Sequence, residues 1–426
     1  MSTVELQIAA RAREFKGEAL HNLHHFIDAQ VLQESFEQLN KKSAGGIDGK
    51  TWQAYGLEFP ARRESLLGEF KSGRYKAPAI RRVYIPKDKH SQRPLGIPTI
   101  EDKVLQSGVR KVIEPIYEED FKPFSYGFRP GRSQHQAIEY MFQKISFEKM
   151  HYIIEADIQD CFGSINHGIL RGFLDRRIKD GVIRRMIDKW LKAGVMESGT
   201  LSYPDEGTPQ GGIISPLLSN IYLHYVLDEW FSEQIQPMLN GKSFIVRWAD
   251  DFILGFADKS DAERVMKVLP KRFAEYKLTL HPEKTRLIDL NSGRGKMKRS
   301  FNFLGFTHYL GKSRKGFKVL KCKTSSSKLT RATREISEFI KLNRHTKLKG
   351  LIAEINVKLR GHYSYYGITF NYGGISRYYE HVKRTLYKWL KRRGGKSSWN
   401  WNKFALLVNN WIPLLKPYIV HSYVLS

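Results

Sequence analysis

Asp250 and Asp251 stand side by side in residues 244–256, FIVRWADDFILGF. Adjacent carboxylates repel each other, and taking them out of water adds a desolvation cost. A divalent cation relieves both problems, and Mg²⁺ prefers carboxylate oxygens together with substrate phosphates. A third carboxylate, Asp157, ends the short apolar run Tyr152-Ile153-Ile154-Glu155-Ala156-Asp157. Three such groups at strand ends can hold two Mg²⁺ about 4 Å apart, an arrangement suited to in-line displacement at phosphorus. Taken alone, an Asp-Asp pair fits an exposed turn equally well; the rest of the chain favours metal chemistry.

The elements that must position these groups are legible nearby. Phe244-Ile245-Val246 and Phe252-Ile253-Leu254 flank the acidic pair, which predicts a β-hairpin with the carboxylates at its tip. Residues 158–162 lead from Asp157 into a turn, and an amphipathic segment follows over 168–191. Gly207-Thr208-Pro209-Gln210-Gly211-Gly212 precedes a helix expected to start near Ser215-Pro216, since Ser and Pro are start signals. Residues 81–98, RRVYIPKDKHSQRPLGIP, predict strand, basic turn, strand. Arg81, Arg82, Lys87, Lys89 and Arg93 fall on or beside that hairpin, where lysine point charges and arginine forks can meet a triphosphate. A solvated basic turn is the plainer alternative. The 44–49 loop AGGIDG is no phosphate-cradling loop, because no Gly-Lys-Ser/Thr follows it.

Residues 1–40 read as amphipathic helix, with Phe26, Val31-Leu32, Phe36 and Leu39 at helical spacing. A helix is expected over 101–117, with Val104-Leu105, Val109, Val112-Ile113 and Ile116 on one face. Ser125-Tyr126-Gly127-Phe128-Arg129-Pro130-Gly131-Arg132-Ser133 mixes aromatics, glycines and arginines, a composition suited to a nucleic acid strand; Ser133 is placed to cap a helix from Gln134. His281-Pro282-Glu283-Lys284-Thr285 opens a further short strand. Phe301-Asn302-Phe303-Leu304-Gly305-Phe306 reads either as core or as a place where backbone approaches a ligand. From Ser325 three basic amphipathic helices are expected, marked by Leu329, Ala332, Ile336 and Phe339-Ile340, then Leu351-Ile352, Ile355, Leu359, Tyr363 and Tyr366, then Ile375, Tyr378-Tyr379, Val382, Leu386 and Trp389-Leu390.

The charge is unevenly placed. The chain of 426 residues carries a formal net charge of +28. From Asn291 onward there are 29 Lys and Arg against 4 Asp and Glu, so the first two-thirds is close to neutral. A near-neutral body with a basic final third is the footprint of a polyanion binder. Arg331, Arg334, Lys388, Lys391, Arg392 and Arg393, interleaved with aromatics, are candidate RNA contacts, as are Arg129 and Arg132. Two cysteines provide neither a zinc pattern nor a disulfide framework. His21, His24 and His25 lack a neighbouring cysteine or acid and read as surface residues. No apolar signal core and no membrane span is found, so a cytoplasmic protein without membrane contact is expected.

Together these blocks resemble the reverse transcriptases encoded by bacterial group II introns, over nearly the whole chain. RRVYIPK, RPLGIP, SYGFRPGRS, ADIQDCF, GTPQGGIISPLLSNIYL, RWADDF, HPEKT and FLGF occur in the family's order. The resemblance implies an α+β right-hand polymerase, with fingers, a palm built on a small antiparallel sheet, and an α-helical thumb and maturase region. The corresponding divisions are 1–80 for an N-terminal extension and the start of the fingers, 81–310 for fingers and palm, and 311–426 for the basic helical region. It implies RNA-templated DNA synthesis from dNTPs, with Asp157, Asp250, Asp251 and the Ile158 backbone carbonyl holding two Mg²⁺ (Mn²⁺ substituting). It places Lys87, Arg93, Phe162, Pro209 and Gln210 on the dNTP and Phe303, Leu304, Gly305 and Phe306 at the primer. Implied partners are an RNA template, a DNA primer and intron RNA, the last bound in a maturase role that supports splicing and retrohoming. Two departures stand out. The family's usual Tyr before Ala-Asp-Asp is Trp248 here, which bears on rate or fidelity rather than on metal. The sequence also stops at Ser426 without an HNH endonuclease motif, so second-strand cleavage is not expected. A domesticated relative in defence or repair, and a non-enzymatic splicing factor, are the competing readings; oligomeric state, a homodimer included, stays open.

Overall fold

The computed structural model describes residues 3–86, 92–197, 199–203, 206–208, 211–291, 299–313, 315–393 and 399–423. In chain order it runs α1 (Thr3–Glu14), α2 (Ala29–Glu37), α3 (Trp52–Ser72), β1 (Ile80–Pro86), β2 (Gln92–Ile97), α4 (Ile100–Asp120), α5 (Gln134–Phe147) and β3 (Tyr152–Asp157). Then come α6 (His167–Asp175), α7 (Gly181–Leu191), β4 (Val195–Glu197), β5 (Thr200–Ser202), α8 (Ser215–Leu223), β6 (Ser243–Trp248), β7 (Asp251–Phe256), α9 (Lys259–Glu275) and β8 (Arg286–Asp289). The last part comprises β9 (Ser300–Phe303), β10 (Phe306–Lys312), β11 (Lys318–Thr324), α10 (Ser326–Leu342), α11 (Leu348–Tyr366), α12 (Tyr372–Leu390) and α13 (Trp401–Leu406). The fold is therefore mixed helix and sheet, ending in a helical region.

The chain divides into two compact units: residues 1–133, 156–252 and 260–286 in one, and residues 134–155, 253–259 and 287–426 in the other. Among the described residues three small sheets are formed, with strand orders β2-β1-β4-β5, β6-β7-β3-β8 and β11-β10-β9. The expected basic hairpin is present: β1 pairs antiparallel with β2, Arg81 opposite Ile97 and Ile85 opposite Arg93. Its Lys87 and Lys89 lie outside the described residues.

In the first unit α4 is a central helix. Thr99 caps it by accepting from the Asp102 N–H at 3.2 Å. The expected single apolar face is a correction: Asp102, Lys103 and Gln106 are buried along with Val104, Val109 and Ile116. A helix covered on all sides must satisfy its polar groups internally. The Lys103 ammonium donates to Ser43 Oγ at 2.7 Å and to the Ala44 carbonyl at 2.8 Å, which anchors the glycine-rich 44–49 loop. The Tyr75 hydroxyl and the Trp190 indole both donate to Asp102 Oδ1, at 2.9 and 3.0 Å.

The N-terminal stretch is broken where continuous helix was expected. Between α1 and α2 the chain runs alongside residues 177–179, Leu20 N–H donating to the Arg177 carbonyl at 2.9 Å and Lys179 N–H to the Leu20 carbonyl at 3.0 Å. Arg177, 2% exposed, explains the stop. Its guanidinium takes the carbonyls of Ala12, Phe15 and Glu18 and the carboxylate of Asp120, capping the end of α1 from outside. His24 is a second correction: its ring Nδ1 lies 2.8 Å from Asp180 Oδ2, an acidic partner far away in sequence.

In the second unit α10, α11 and α12 pack about Ile336, Ile340, Leu359, Tyr363, Ile375 and Val382. These are positions that helical spacing marks. The C-terminal segment returns along the end of α11, Val420 N–H donating to the Gly367 carbonyl at 2.7 Å.

Burial pushes the Asp102 carboxyl up to about 7. Because the folded value lies above the unfolded one of 3.8, its contribution is fully present below that pH and is lost as pH rises toward 7, by roughly 1.4 kcal/mol per unit displaced. The Asp102→Asn chain should lack this slope. Urea denaturation at several pH values between acid and neutral should show parent stability falling relative to the variant.

Candidate active site

The tip of the β6–β7 hairpin is held by a buried polar network. Arg247, on β6, is completely buried, an unusual place for a guanidinium. It donates through Nε to Asp228 Oδ1 at 2.8 Å and through Nη1 to Asn220 Oδ1 at 2.9 Å. The same Nη1 donates to the Ala249 carbonyl at 3.1 Å, so the arginine reaches forward to the residue before the acidic pair. Asp228 comes from a π-helical turn, His224–Asp228, that continues α8. Asn220 in turn donates through Nδ2 to the Gly127 carbonyl at 2.7 Å.

Ala249 has a left-handed φ of 56°, a conformation that costs a non-glycine residue energy and persists where its surroundings enforce it. Gly127 shows the closeness of that enclosure: a Cβ there would lie 2.3 Å from the Ala249 nitrogen. The glycine of the 125–133 loop therefore serves backbone contact with the tip. Residues 125 and 247 also form a parallel bridge.

Asp157 ends β3, and β3 is the sheet neighbour of β7, which begins at Asp251. The turn after Asp157 approaches the hairpin tip. Burial first, and then the negative charge of Asp250, pushes the Cys161 thiol up to about 12. The Lys284 ammonium lies 2.7 Å from Asp157 Oδ2, and the His281 N–H donates to the Asp157 carbonyl at 2.8 Å. The HPEKT block thus clasps the strand end that carries Asp157. Carboxylate oxygens are hard donors that suit Mg²⁺. Among the described residues no three His, Cys, Asp or Glu side chains are grouped closely enough to form a closed metal cage, and Asp157 has its charge balanced by Lys284.

Phe162 is half-buried rather than part of the core. Its carbonyl accepts from the Thr208 N–H at 2.7 Å. Gly207, with φ 91°, allows this approach, since a Cβ would come within 3.1 Å of the Phe162 oxygen. Beside it lies a cavity of about 250 Å³ lined by Arg82 and Gly96 from the β1–β2 hairpin and by Asp160, Gly163, Glu206 and Thr208. The Thr208 hydroxyl is buried without a partner among the described residues. Gln106 Oε1 accepts from the Ile213 N–H at 2.8 Å, tying the end of the glycine-rich loop to α4. Arg93 is exposed on β2. Lys87, Pro209 and Gln210 fall outside the described residues.

The remaining candidates divide. Phe303 and Phe306 are buried and flank a two-residue turn in which Leu304 and Gly305 have φ of 50° and 78°. Positive φ at both central residues is the preferred hairpin geometry. Tyr365 Oη donates to the Leu304 carbonyl at 3.0 Å. The two phenyl rings are core, and the turn residues between them are half-buried. Arg129 is a correction: it is buried, and its guanidinium donates to Glu118 and to the Lys122 and Ser125 carbonyls. It builds its own loop instead of meeting a strand. Arg132 is exposed, over the Tyr126 ring. Arg331 pairs with Glu335 at 2.7 Å and Arg334 is exposed. Lys388 and Arg392 lie over the Trp389 ring and are exposed, as is Lys391. Arg393 donates to the Thr346 carbonyl at 2.7 Å. Sequence reasoning missed Asp228, Asn220 and Arg247; the one available signal was an arginine inside the apolar run SFIVRW.

Breaking the buried pair from one side leaves an uncompensated charge. Asp228→Asn should cost about 3–5 kcal/mol in urea denaturation. Arg247→Met in that background should restore part of the loss, and a double-mutant cycle should return a coupling well above 0.5 kcal/mol, roughly the limit for independent sites. Additivity within that limit would show that the network does not hold the tip.

Known proteins resemble this chain in sequence along much of its length. Residues 85–308 match the family model described as reverse transcriptase (RNA-dependent DNA polymerase), and residues 329–406 match the group II intron, maturase-specific domain. The chain is 34% identical over 307 residues to Protein YkfC of Escherichia coli K12, covering 64% of this chain and 77% of that protein. It is 34% identical over 281 residues to the group II intron-encoded protein LtrA of Lactococcus lactis, covering 65% of this chain and 41% of that protein. An uncharacterized 91 kDa protein in the cob intron of Schizosaccharomyces pombe is 40% identical over 184 residues, or 43% of this chain and 22% of that protein. With the acidic hairpin inside the first matched region and the basic helices inside the second, the chain belongs to the group II intron type of reverse transcriptase, an RNA-directed DNA polymerase joined to a maturase-specific domain.

Proposed function

We propose that the chain extends a DNA primer on an RNA template by metal-dependent nucleotidyl transfer, and that it also binds intron RNA as a maturase in splicing and retrohoming. The observation that supports the first part is that β3, which ends at Asp157, is the sheet neighbour of β7, which begins at Asp251. These carboxylates, with the Ile158 carbonyl, are the groups to hold Mg²⁺ or Mn²⁺. When bound, such ions supply an activated primer hydroxyl and neutralise the leaving phosphates. The chain's own part is to keep the carboxylates aligned, which falls to the Arg247 network and the HPEKT clasp.

In this reading the β1–β2 hairpin belongs to fingers, the β6-β7-β3-β8 sheet to the palm, and the helices from α10 onward to a thumb. Lys87, Arg93, Pro209 and Gln210 meet the incoming dNTP. The Leu304-Gly305 turn, supported by Phe303 and Phe306, offers its backbone to the primer. Arg132, Arg334, Lys388, Lys391 and Arg392 are exposed and basic and contact RNA phosphates; Arg331 pairs with Glu335 and Arg393 donates to the Thr346 carbonyl, and both contribute less.

Primer extension on RNA should require Mg²⁺ or Mn²⁺ and stop on chelation. Asp250→Ala should lower it by about 10²-fold or more, with RNA binding retained; extension equal to the parent's would remove Asp250 from the site.

Phe162 carries the choice of sugar. Its ring is half-buried, and its backbone is fixed by Thr208. A ribonucleotide differs by the 2′-hydroxyl through which proteins tell RNA from DNA, and a ring offers that oxygen crowding and no hydrogen bond. Phe162→Ala should bring the kcat/KM values for rNTP and dNTP closer together without a large change in Tm. A core role predicts the reverse, a loss of about 3–5 kcal/mol with the ratio unchanged.

A further inference from the structure

A cavity of about 700 Å³ lies within the second unit. It is walled by β9 and β10 and by the start of α10, with Arg299, Tyr309, Lys323, Ser325, Ser326 and Ser327 on its surface. Its chemistry is that of hydroxyls and cations. Three consecutive serines sit where a helix of 17 residues begins, and the first turn of that helix carries no acidic residue. The first N–H groups of a helix have no partner inside it and point along the axis, at the positive end of the helix dipole. Such a terminus suits an anion.

Geometry alone leaves this a helix start like any other. Ser325 is what distinguishes it. As N-cap its side chain should accept from an N–H of the first turn, the ordinary role of serine there. It does not: the backbone is extended at φ −62° and ψ 145°, and its hydroxyl makes no capping bond. Ser325 is only 7% exposed, lines the cavity, and its hydroxyl has no partner among the described residues. Its N–H is already committed, donating to the Gly305 carbonyl at 3.0 Å, so the residue is fixed while its hydroxyl stays available. A hydroxyl that lines the cavity can donate to a ligand oxygen there. Lys323 supplies charge next to it, its ammonium held 5.7 Å over the Tyr309 ring at the cavity wall. On the same wall the Asn302 N–H donates to Glu155 Oε1 at 3.1 Å.

We propose that this cavity is a phosphodiester site: a backbone phosphate of bound nucleic acid accepts hydrogen bonds from Ser325, Ser326 and the first N–H groups of α10, with Lys323 balancing its charge. The inference rests on the polymerase reading and adds to it a discrete anchor on the second unit. The phosphate comes either from a primer–template duplex or from a folded RNA.

Ser326 is exposed, so Ser326→Asp disturbs no packing. A carboxylate at a helix start favours the helix and repels a phosphate, which separates the two roles. Binding of the full chain to an RNA–DNA primer–template, to a primer-free RNA hairpin and to inorganic phosphate should be measured across salt concentrations, beside thermal melts. The expected result is a Tm equal to or above the parent's and nucleic-acid affinity about ten- to a hundredfold weaker. The slope of log affinity against log salt should fall by about 0.7–0.9, one phosphate contact. Lys323→Gln should reduce the slope in the same direction. Loss confined to the primer–template places the site on the polymerase track; loss for the hairpin places it on the RNA-holding surface. Unchanged affinity for both nucleic acids, or an effect on inorganic phosphate alone, overturns the site. A parent chain that binds neither nucleic acid overturns the polymerase reading and this anchor with it, whereas a parent that binds both while Ser326→Asp binds equally well overturns the anchor only.

Discussion

The first unit depends on one ion pair that never meets water. Arg247 and Asp228 are both fully buried, and two isolated charges in that position would each cost several kcal/mol. They are tolerated because the pair is hydrogen-bonded at both ends and because the remaining donors of the guanidinium are used by Asn220 and the Ala249 carbonyl. That last bond converts a core contact into a constraint on the hairpin tip. The left-handed Ala249 and the glycine pressed against it follow from the same constraint. The backbone carrying Asp250 and Asp251 is thus fixed by groups that need no substrate or metal.

The same economy recurs around Asp157. Its carbonyl and its carboxylate are both taken by the HPEKT block, one through the His281 N–H and the other through Lys284. Phe162 is fixed through its carbonyl rather than its ring, which leaves the ring half-buried and facing its surroundings. Catalytic geometry of this kind requires first-contact groups whose positions are settled by a surrounding shell. Here the shell is built from backbone atoms and buried polar side chains contributed by segments far apart in sequence.

The second unit follows another logic. Its helices are organised by apolar stripes, and its cations are displayed on the outside, several of them against aromatic rings such as Trp389. A lysine or arginine stem lying on a ring keeps its charge in water while restricting its motion. That suits contact with phosphate, where affinity comes from charge and is strongly screened by salt.

The sequence by itself determined a good deal. The hairpin at 244–256, the basic hairpin at 81–98 and the helices from Ser325 onward all form where residue periodicity places them, because each is a local pattern of side chains seeking one buried face. The order of the motif blocks was enough to identify the family. What only the tertiary structure decided concerns partners distant along the chain. Arg129 reads as an RNA contact until Glu118 and two carbonyls claim its guanidinium. His24 reads as a surface residue until Asp180 arrives from 156 positions away. Residues 1–40 read as unbroken helix until Arg177 terminates α1 from outside. Phe303 and Phe306 carry the same side chain as Phe162, yet two are core and one is half-buried. Composition and spacing state what a side chain can do; whether its donors, charge or ring are still available depends on which remote groups folding brings within about 3 Å.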